Sequence, residues 1–153
     1  MSLNVIRYAY DFVVLHHDIE VIRRSQDYVN QWLSNIGPEL KPEKTNLTHT
    51  FKHFEGKVGF NFLGFLIRQY SQGKRESSKD FKRKTLGFKT LIKPTPESVK
   101  RNYARITKLV DQHKSSTQEG LIKTLNPIIR GWANYYRTVV SAEIFNKLAA
   151  SSL

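Results

Sequence analysis

The 153-residue sequence contains no cysteine, which excludes disulfide bonds and thiolate metal sites. It has no apolar run close to the ~18 residues that a membrane-spanning helix needs. The N-terminal residues lack the basic and apolar regions of a signal peptide, and no glycine-rich phosphate loop or nucleophile motif is present. These absences predict a protein that is not secreted and works in the cytoplasm, an organelle or a bacterial interior.

Acidic residues are also scarce, with 13 Asp and Glu against 25 Lys and Arg, for a net charge of +12. Residues 1–56 carry 6 basic and 7 acidic side chains, whereas residues 57–153 carry 19 basic and 6 acidic ones. The excess positive charge therefore lies entirely in the second part of the chain. Because a basic surface attracts polyanions, nucleic acid rather than an anionic membrane is the predicted partner.

A short turn between two apolar arms is the first structural feature along the chain. Leu3 and Val5 precede the turn, and residues 12–15 follow it. β-Branched and aromatic residues on both sides of a two- or three-residue turn predict a tight β-hairpin. Asp11 is the single acid at this turn, and by residue type alone it favours turn formation over chemistry.

The next stretch has helical periodicity. Apolar residues recur at helical spacing from Ile19 to Ile36, which predicts a helix with one apolar face. Asp18 is the predicted N-cap, and Gly37-Pro38 ends the helix. Packed on the hairpin, this helix would complete a hairpin-plus-helix unit.

Further strands are predicted before residue 68. One begins near Thr45, and a hairpin with Gly56 at its turn leads into an aromatic strand over residues 58–67. Gly59 and Gly64 inside that strand indicate a bulge or a close backbone approach.

Residues 69–90 are mostly polar and basic, which predicts a loop or linker and places the domain boundary there. A short strand is predicted to return near residues 86–92.

The remainder is predicted to be helical. Thr95 and Pro96 start one helix, and the capping-box pattern of residues 116–119 starts the next. Pro127 is expected to divide this second segment into two helices, and a last helix is predicted from Ser141. Large aromatic residues at helical spacing are predicted to pack inward: Trp132, Tyr135 and Tyr136.

These elements predict an α+β fold. Antiparallel hairpins with one packed helix occupy residues 1–68, the basic linker occupies 69–90, and an all-α domain occupies 91–153.

The order of features resembles the C-terminal part of a group II intron-encoded reverse transcriptase/maturase. Residues 7–14, Arg-Tyr-Ala-Tyr-Asp-Phe-Val-Val, resemble the catalytic palm hairpin, with Tyr10 replacing the first of two aspartates. Residues 37–45, which end in Pro42-Glu43-Lys44-Thr45, resemble the following palm motif, and residues 60–65 resemble the primer-grip hairpin. Residues 125–137 resemble the thumb segment called domain X. The resemblance implies a partial palm over 1–68 and a helical thumb/maturase domain over 91–153.

The family activity would be RNA-directed DNA polymerase, that is, reverse transcriptase. Such enzymes use two Mg²⁺ ions held by clustered carboxylates. The resemblance implies that an upstream aspartate and the hairpin pair supply these, and here it carries over Asp11 alone as a catalytic position. The chain begins almost at the hairpin, so the fingers and upstream palm are expected to be missing. We therefore expect no metal site, no tightly bound cofactor and no polymerase activity from this chain alone.

The basic second part and the domain X resemblance together predict a truncated maturase fragment that binds group II intron-like RNA in splicing. Two alternatives stay open: the C-terminal part of a split reverse transcriptase that needs a separate N-terminal half, and a non-functional remnant. For the basic helix face, a solvated surface is the simple alternative to RNA binding. The predicted RNA contacts are six basic residues on helices: Lys100, Arg101, Arg105, Lys108, Arg130 and Arg137.

Overall fold

The computed structural model describes residues 2–37, 39–73 and 78–139. The chain forms two compact units, Met1–Leu47 and Thr48–Leu153. The described residues form two small antiparallel sheets and three helices, with the last two helices towards the C-terminus, so the predicted α+β class is confirmed. None of these three helices combines the length and the apolar character that crossing a membrane would require.

The first unit begins with the predicted hairpin. Strand β1 (Asn4–Tyr8) pairs antiparallel with β2 (Asp11–Leu15), and Tyr8 lies opposite Asp11. A two-residue turn of Ala9 and Tyr10 joins the strands, with Ala9 at a φ of 52°. The hairpin prediction is confirmed, and Asp11 is the first residue of β2.

Helix α1 (Ile19–Ser34) follows and lies against β2. The Asp18 carboxylate caps it by accepting a hydrogen bond from the Glu20 backbone N–H at 2.9 Å. At the other end Gly37 adopts a φ of 101°, and its N–H donates to the Leu33 carbonyl at 3.0 Å. The predicted helix and N-cap are confirmed, and Gly37 ends the helix because glycine tolerates this left-handed conformation.

The second unit contains a three-stranded antiparallel sheet in the order β3–β4–β5. Its strands are β3 (Phe60–Phe62), β4 (Phe65–Ser71) and β5 (Phe88–Pro94). The prediction of one strand over 58–67 is wrong, because Leu63 and Gly64 adopt φ values of 50° and 80° and fold the segment into a hairpin. Positive φ at both turn residues matches the tight turns that join twisted strands. Gly64 is therefore a turn residue and does not form a bulge.

The strand predicted near Thr45 is also wrong, since the described residues contain no strand between α1 and β3. Isolated hydrogen bonds attach residues 48–50 to the sheet instead. The Gly59 N–H donates to the His49 carbonyl at 2.8 Å, and the Gln69 N–H donates to the Thr50 carbonyl at 2.7 Å. The predicted turn at Gly56 is confirmed between the bridged residues Phe54 and Lys57.

The polar segment predicted as a linker has its first residues in β4 and its last in β5. Between the strands, residues 78–87 prolong the β4–β5 hairpin, with Lys79 bridged to Thr85. The division into domains at residues 69–90 stays a prediction.

Strand register assigns the side chains of this sheet to two faces, because directly paired residues point to the same side. One, the aromatic sheet face, carries mainly aromatic and aliphatic residues: Phe60, Phe62, Phe65, Ile67, Phe88 and Ile92. The other, the cationic sheet face, carries three cations and no carboxylate: Asn61, Leu66, Arg68, Tyr70, Lys89, Leu91 and Lys93.

Two helices complete the described part of the second unit, α2 (Pro96–Gln112) and α3 (Gln118–Tyr136). Thr95 caps α2 as predicted, since its hydroxyl accepts from the Ser98 N–H at 3.1 Å. The cap of α3 is Thr117, which accepts from the Gly120 N–H at 3.3 Å. The capping box predicted from Ser116 is therefore wrong, because the cap lies one residue later and glycine occupies the position of the acid.

Helix α3 runs uninterrupted through Pro127, so the expected division into two helices is wrong. Proline removes one backbone donor, and packing on both sides of it outweighs that loss. The neighbouring Leu125 and Ile128 are both half-buried, whereas Pro127 itself is exposed. The last helix, predicted from Ser141, lies outside the described residues.

The aromatic residues at the end of α3 join the sheet to both helices. Phe65 stacks on Tyr135 and meets Tyr136 edge-on, with ring centroids 5.0 Å apart in each pair. The Tyr136 hydroxyl donates to the Gly64 carbonyl at 3.1 Å and lies 2.6 Å from the Ser98 hydroxyl of α2. Because the phenol has one hydrogen, Ser98 donates in the second bond. Tyr136 is 2% exposed, the most buried hydrophobic residue in the described ranges.

This junction predicts that Gly64→Ala destabilises the fold by about 2–4 kcal/mol, through an unfavourable φ and a steric clash. A Cβ at position 64 would lie 2.8 Å from the Tyr136 hydroxyl oxygen. A urea titration monitored by circular dichroism measures the decrease in unfolding free energy.

Gly87→Ala is the matched control, because Gly87 has a φ of 76° and a Cβ added there would have nothing within 4 Å. This variant measures the loss of unfolding free energy that comes from the unfavourable φ alone, about 1 kcal/mol. Equal losses in the two variants would show that the Tyr136 contact is not tight.

Candidate nucleic-acid interface

Helix α2 separates its polar and apolar sides cleanly. Its inward side is made of Val99, Asn102, Ile106 and Leu109, which are buried or half-buried. With 3.6 residues per turn, the four predicted basic contacts fall on the outward side, and all four are exposed. We call this set the α2 basic face: Lys100, Arg101, Arg105 and Lys108.

Three of these cations form a ridge along the helix. Arg105 follows Arg101 by four residues and Lys108 follows Arg105 by three, so each lies about one turn from the next. At a rise of about 1.5 Å per residue the ridge is about 10 Å long. Such a row can contact several successive phosphates of a nucleic-acid backbone.

The positive charge of this face is not neutralised within the described residues. None of its four cations forms an ion pair there; the bridges present are Arg23–Glu20, Lys114–Asp111 and Lys123–Glu119. Asp111, near the C-terminal end of α2, forms an ion pair with Lys114, and the two charged atoms lie 2.8 Å apart. That hydrogen bond and the charge of Asp111 raise the pKa of the Lys114 ammonium. The carboxylate near the C-terminal end of the helix is thus already engaged.

Arg130 and Arg137 lie on α3 and at its C-cap, seven residues apart. Seven residues are close to two turns, so these two arginines share one side of the helix, away from the half-buried Trp132. Both are exposed and, like the α2 set, form no ion pair with a described carboxylate. The six predicted contacts therefore occupy two helices that pack together, α2 and α3.

The aromatic residues flanking these arginines are structural. Tyr136 is buried, and Trp132 lies 4.8 Å from its ring. Tyr135 is 51% exposed, but its ring stacks on Phe65 and its hydroxyl donates to the Leu63 carbonyl at 2.7 Å. The prediction of inward packing is confirmed for Trp132 and Tyr136, whereas Tyr135 packs one ring face on Phe65 and stays exposed.

The structure adds a polar recess that sequence reasoning missed. A cavity of about 480 Å³ lies between the β3–β4 turn and the first turns of α2, and Arg101, Glu97 and Asn61 line it. Asn61 belongs to the cationic sheet face, so Arg101 connects that face with the α2 basic face. Asn61 and Arg101 are 40 positions apart, and no sequence pattern relates them.

The hairpin of the first unit offers poor metal ligands. Tyr10 points into solvent with 98% exposure, and Asp11 follows it in β2. No three His, Asp or Glu side chains converge on a metal-sized site anywhere in residues 2–37, 39–73 and 78–139. Because Mg²⁺ prefers clustered oxygen ligands, the residues present do not fit the two-ion site of a polymerase. The expectation that the chain does not hold Mg²⁺ stays a prediction.

Comparison with known proteins finds a family similarity at the helical end of the chain. No curated protein matches the sequence significantly. Residues 99–151 match the family model described as the group II intron, maturase-specific domain. The match begins in the first turn of α2 and continues through α3, so it includes all six predicted basic contacts. The C-terminal third of this chain is therefore similar to the group II intron, maturase-specific domain.

Proposed function

We propose that the chain binds group II intron RNA through the α2 basic face and acts in intron splicing. The observation that carries this proposal is an exposed row of cations, without described ion-pair partners, inside the matched maturase-specific domain. Such a row favours phosphates, because each contact releases condensed counterions from the nucleic acid.

The arrangement supports contact with the RNA backbone more than with base edges. Lysine and arginine on a convex helix surface reach phosphates of a folded RNA, and backbone contacts fix position without specifying sequence. Arg130 and Arg137 extend the same positive surface onto α3. Recognition of one intron would then depend on the RNA shape that brings phosphates to both helices.

A second candidate function is that of one component of a reverse transcriptase assembled from separate chains. The exposed apolar side chains of β1 favour it, with Val5 at 59%, Ile6 at 50% and Tyr8 at 64% exposure. Tyr10 argues against it, because it removes a carboxylate that the assembled site would need. Co-purification with an N-terminal reverse-transcriptase half is the measurement that favours this candidate over the first.

Reversing two charges of the ridge tests RNA binding. We expect Arg101→Glu with Arg105→Glu to weaken binding to a structured intron RNA about 10- to 100-fold near 100 mM salt. The plot of log affinity against log salt should become shallower by about two. Filter binding over a salt series measures both quantities.

Arg23→Glu with Arg24→Glu is the matched control, because it makes the same charge change on the exposed side of α1. It should weaken binding only slightly. If both double variants lose affinity equally, net charge and not the α2 basic face determines binding. Wild-type affinity that does not vary with salt would contradict the proposal as a whole.

Because the hairpin lacks clustered carboxylates, we expect that the chain alone does not extend an RNA or DNA primer on a template in the presence of Mg²⁺. Tyr10→Asp should not create activity, since two adjacent carboxylates lack the third that completes the site. Primer extension followed on a gel, with an active reverse transcriptase as the positive control, checks this. Mg²⁺-dependent extension by either protein, abolished by Asp11→Asn, would contradict it.

A further inference from the structure

The tip of the β4–β5 hairpin presents an aromatic ring to solvent. Phe81 is 91% exposed, the most exposed phenylalanine in the described residues. A single exposed apolar side chain is ordinary on a protein surface. This one is unusual in its setting, because the backbone around it is fixed and every charged side chain beside it except Asp80 is a cation.

Hydrogen bonds hold the tip in one conformation. The Asp80 carboxylate accepts from the Lys82 N–H at 2.9 Å and from the Lys84 N–H at 2.8 Å. The Asp80 backbone bonds to Arg83 at 2.9 Å and to Lys84 at 3.0 Å. Phe81 is therefore held outward by an ordered turn, and a ligand that covers its ring need not first order the backbone.

The charges at the tip are nearly all of one sign. Lys79, Lys82, Arg83 and Lys84 are exposed, and none forms an ion pair with a described carboxylate. The Lys82 ammonium lies 5.7 Å from the centre of the Phe81 ring. Asp80 is the only acid in residues 78–87, and its carboxylate is occupied by backbone N–H groups.

The strands that lead to the tip also carry cations on one face. On the cationic sheet face Arg68 and Lys93 lie over the Tyr70 ring, at 4.9 and 5.5 Å from its centre. Lys89 is opposite Tyr70 on β5. At the far end of this face Asn61 lines the recess that also contains Arg101. The cationic sheet face thus has Lys89 near the start of β5 and the Arg101 recess at its other end.

We propose that the β4–β5 hairpin tip binds a single-stranded segment of RNA, with Phe81 stacking on an unpaired base and the surrounding cations holding its phosphates. Every base has a face that can stack on an aromatic ring, and lysines and arginines around that ring supply the electrostatic attraction. This inference rests on the proposed RNA-binding function and adds a second contact that distinguishes unpaired from paired RNA.

The test compares Phe81→Ala with wild type by fluorescence anisotropy, using a labelled 20-nucleotide oligouridylate and an RNA duplex of equal length. Because stacking of one base on an aromatic side chain contributes about 1–3 kcal/mol, the variant should bind the single strand about 5- to 100-fold more weakly. Its affinity for the duplex should change less than about twofold, and Phe81→Trp should restore binding to the single strand. The salt slope should not change, since no charge is removed.

Tyr10→Ala is the matched control, since Tyr10 is an exposed aromatic residue at another hairpin tip, 98% accessible but without a ring of cations. It should leave single-strand binding unchanged. Equal effects of Phe81→Ala and Tyr10→Ala, or no effect of Phe81→Ala on any RNA, would overturn the inference.

Two further outcomes separate this inference from related ideas. If Arg101→Glu with Arg105→Glu weakens RNA binding while Phe81→Ala does not, the hairpin inference fails and the proposed function stands. If wild type binds a structured intron RNA but not the single strand, the hairpin inference likewise fails and the proposed function stands. Vesicles containing about 30% phosphatidylserine test the other partner suited to a phenylalanine among lysines. Phe81-dependent vesicle binding with unchanged RNA affinity would overturn the inference in favour of a membrane surface.

Discussion

The second unit depends on one buried phenol. Tyr136 donates to the Gly64 carbonyl of the β3–β4 turn and accepts from Ser98 of α2, while its ring contacts Phe65 and Trp132. The Gly64 carbonyl also accepts from the Thr95 N–H at 2.9 Å, immediately before α2 begins. Sheet, α2 and α3 therefore meet at one residue, and the side chain that joins them is among the last of α3. Because a buried hydroxyl without its partners would be costly, the three elements are fixed together.

This junction explains where the cations of α2 lie. Ser98 and Thr95 fix the start of the helix, and the half-buried Val99 and Ile106 fix its rotation. The remaining positions, which include the ridge from Arg101 to Lys108, have no neighbour to pack against and stay in solvent. A basic surface that is rigidly placed costs less conformational entropy on binding than one on a flexible segment. The fold thus holds the lysine and arginine side chains of α2 at fixed positions on the surface.

Sequence patterns predicted the elements whose causes are local. Asp18, Thr95 and Gly37 act within one turn of themselves, so the bounds of α1 and the start of α2 followed directly from residue types. Pro127 was misjudged because its effect depends on tertiary packing around α3 and not on the proline alone. The strand expected over residues 58–67 failed for a different reason. Leu63 adopts a positive φ that is rare for a leucine, and only the neighbouring Gly64 gave a signal for the turn.

Part of the candidate site was predictable from the sequence, because that part also depends on local causes. The α2 basic face follows from helical periodicity, whereas the contact between Asn61 and the Arg101 recess depends on strand register and on the Tyr136 junction. Phe81 shows the limit most clearly. A phenylalanine among lysines and arginines gives no sign of its exposure until the turn around Asp80 is known.

The distribution of charge argues that the function of this chain lies in its second unit. In the first unit the hairpin only resembles a catalytic one and carries Tyr10 where that resemblance implies a carboxylate. Basic and acidic residues nearly balance over residues 1–56. In the second unit exposed cations occupy α2, α3 and the hairpin tip, one face of the sheet carries three more that are exposed or half-buried, and acids are few. Mutual repulsion among these cations opposes folding. A polyanion that binds them relieves this repulsion, so the same charges that weaken the isolated fold would strengthen the proposed complex with RNA.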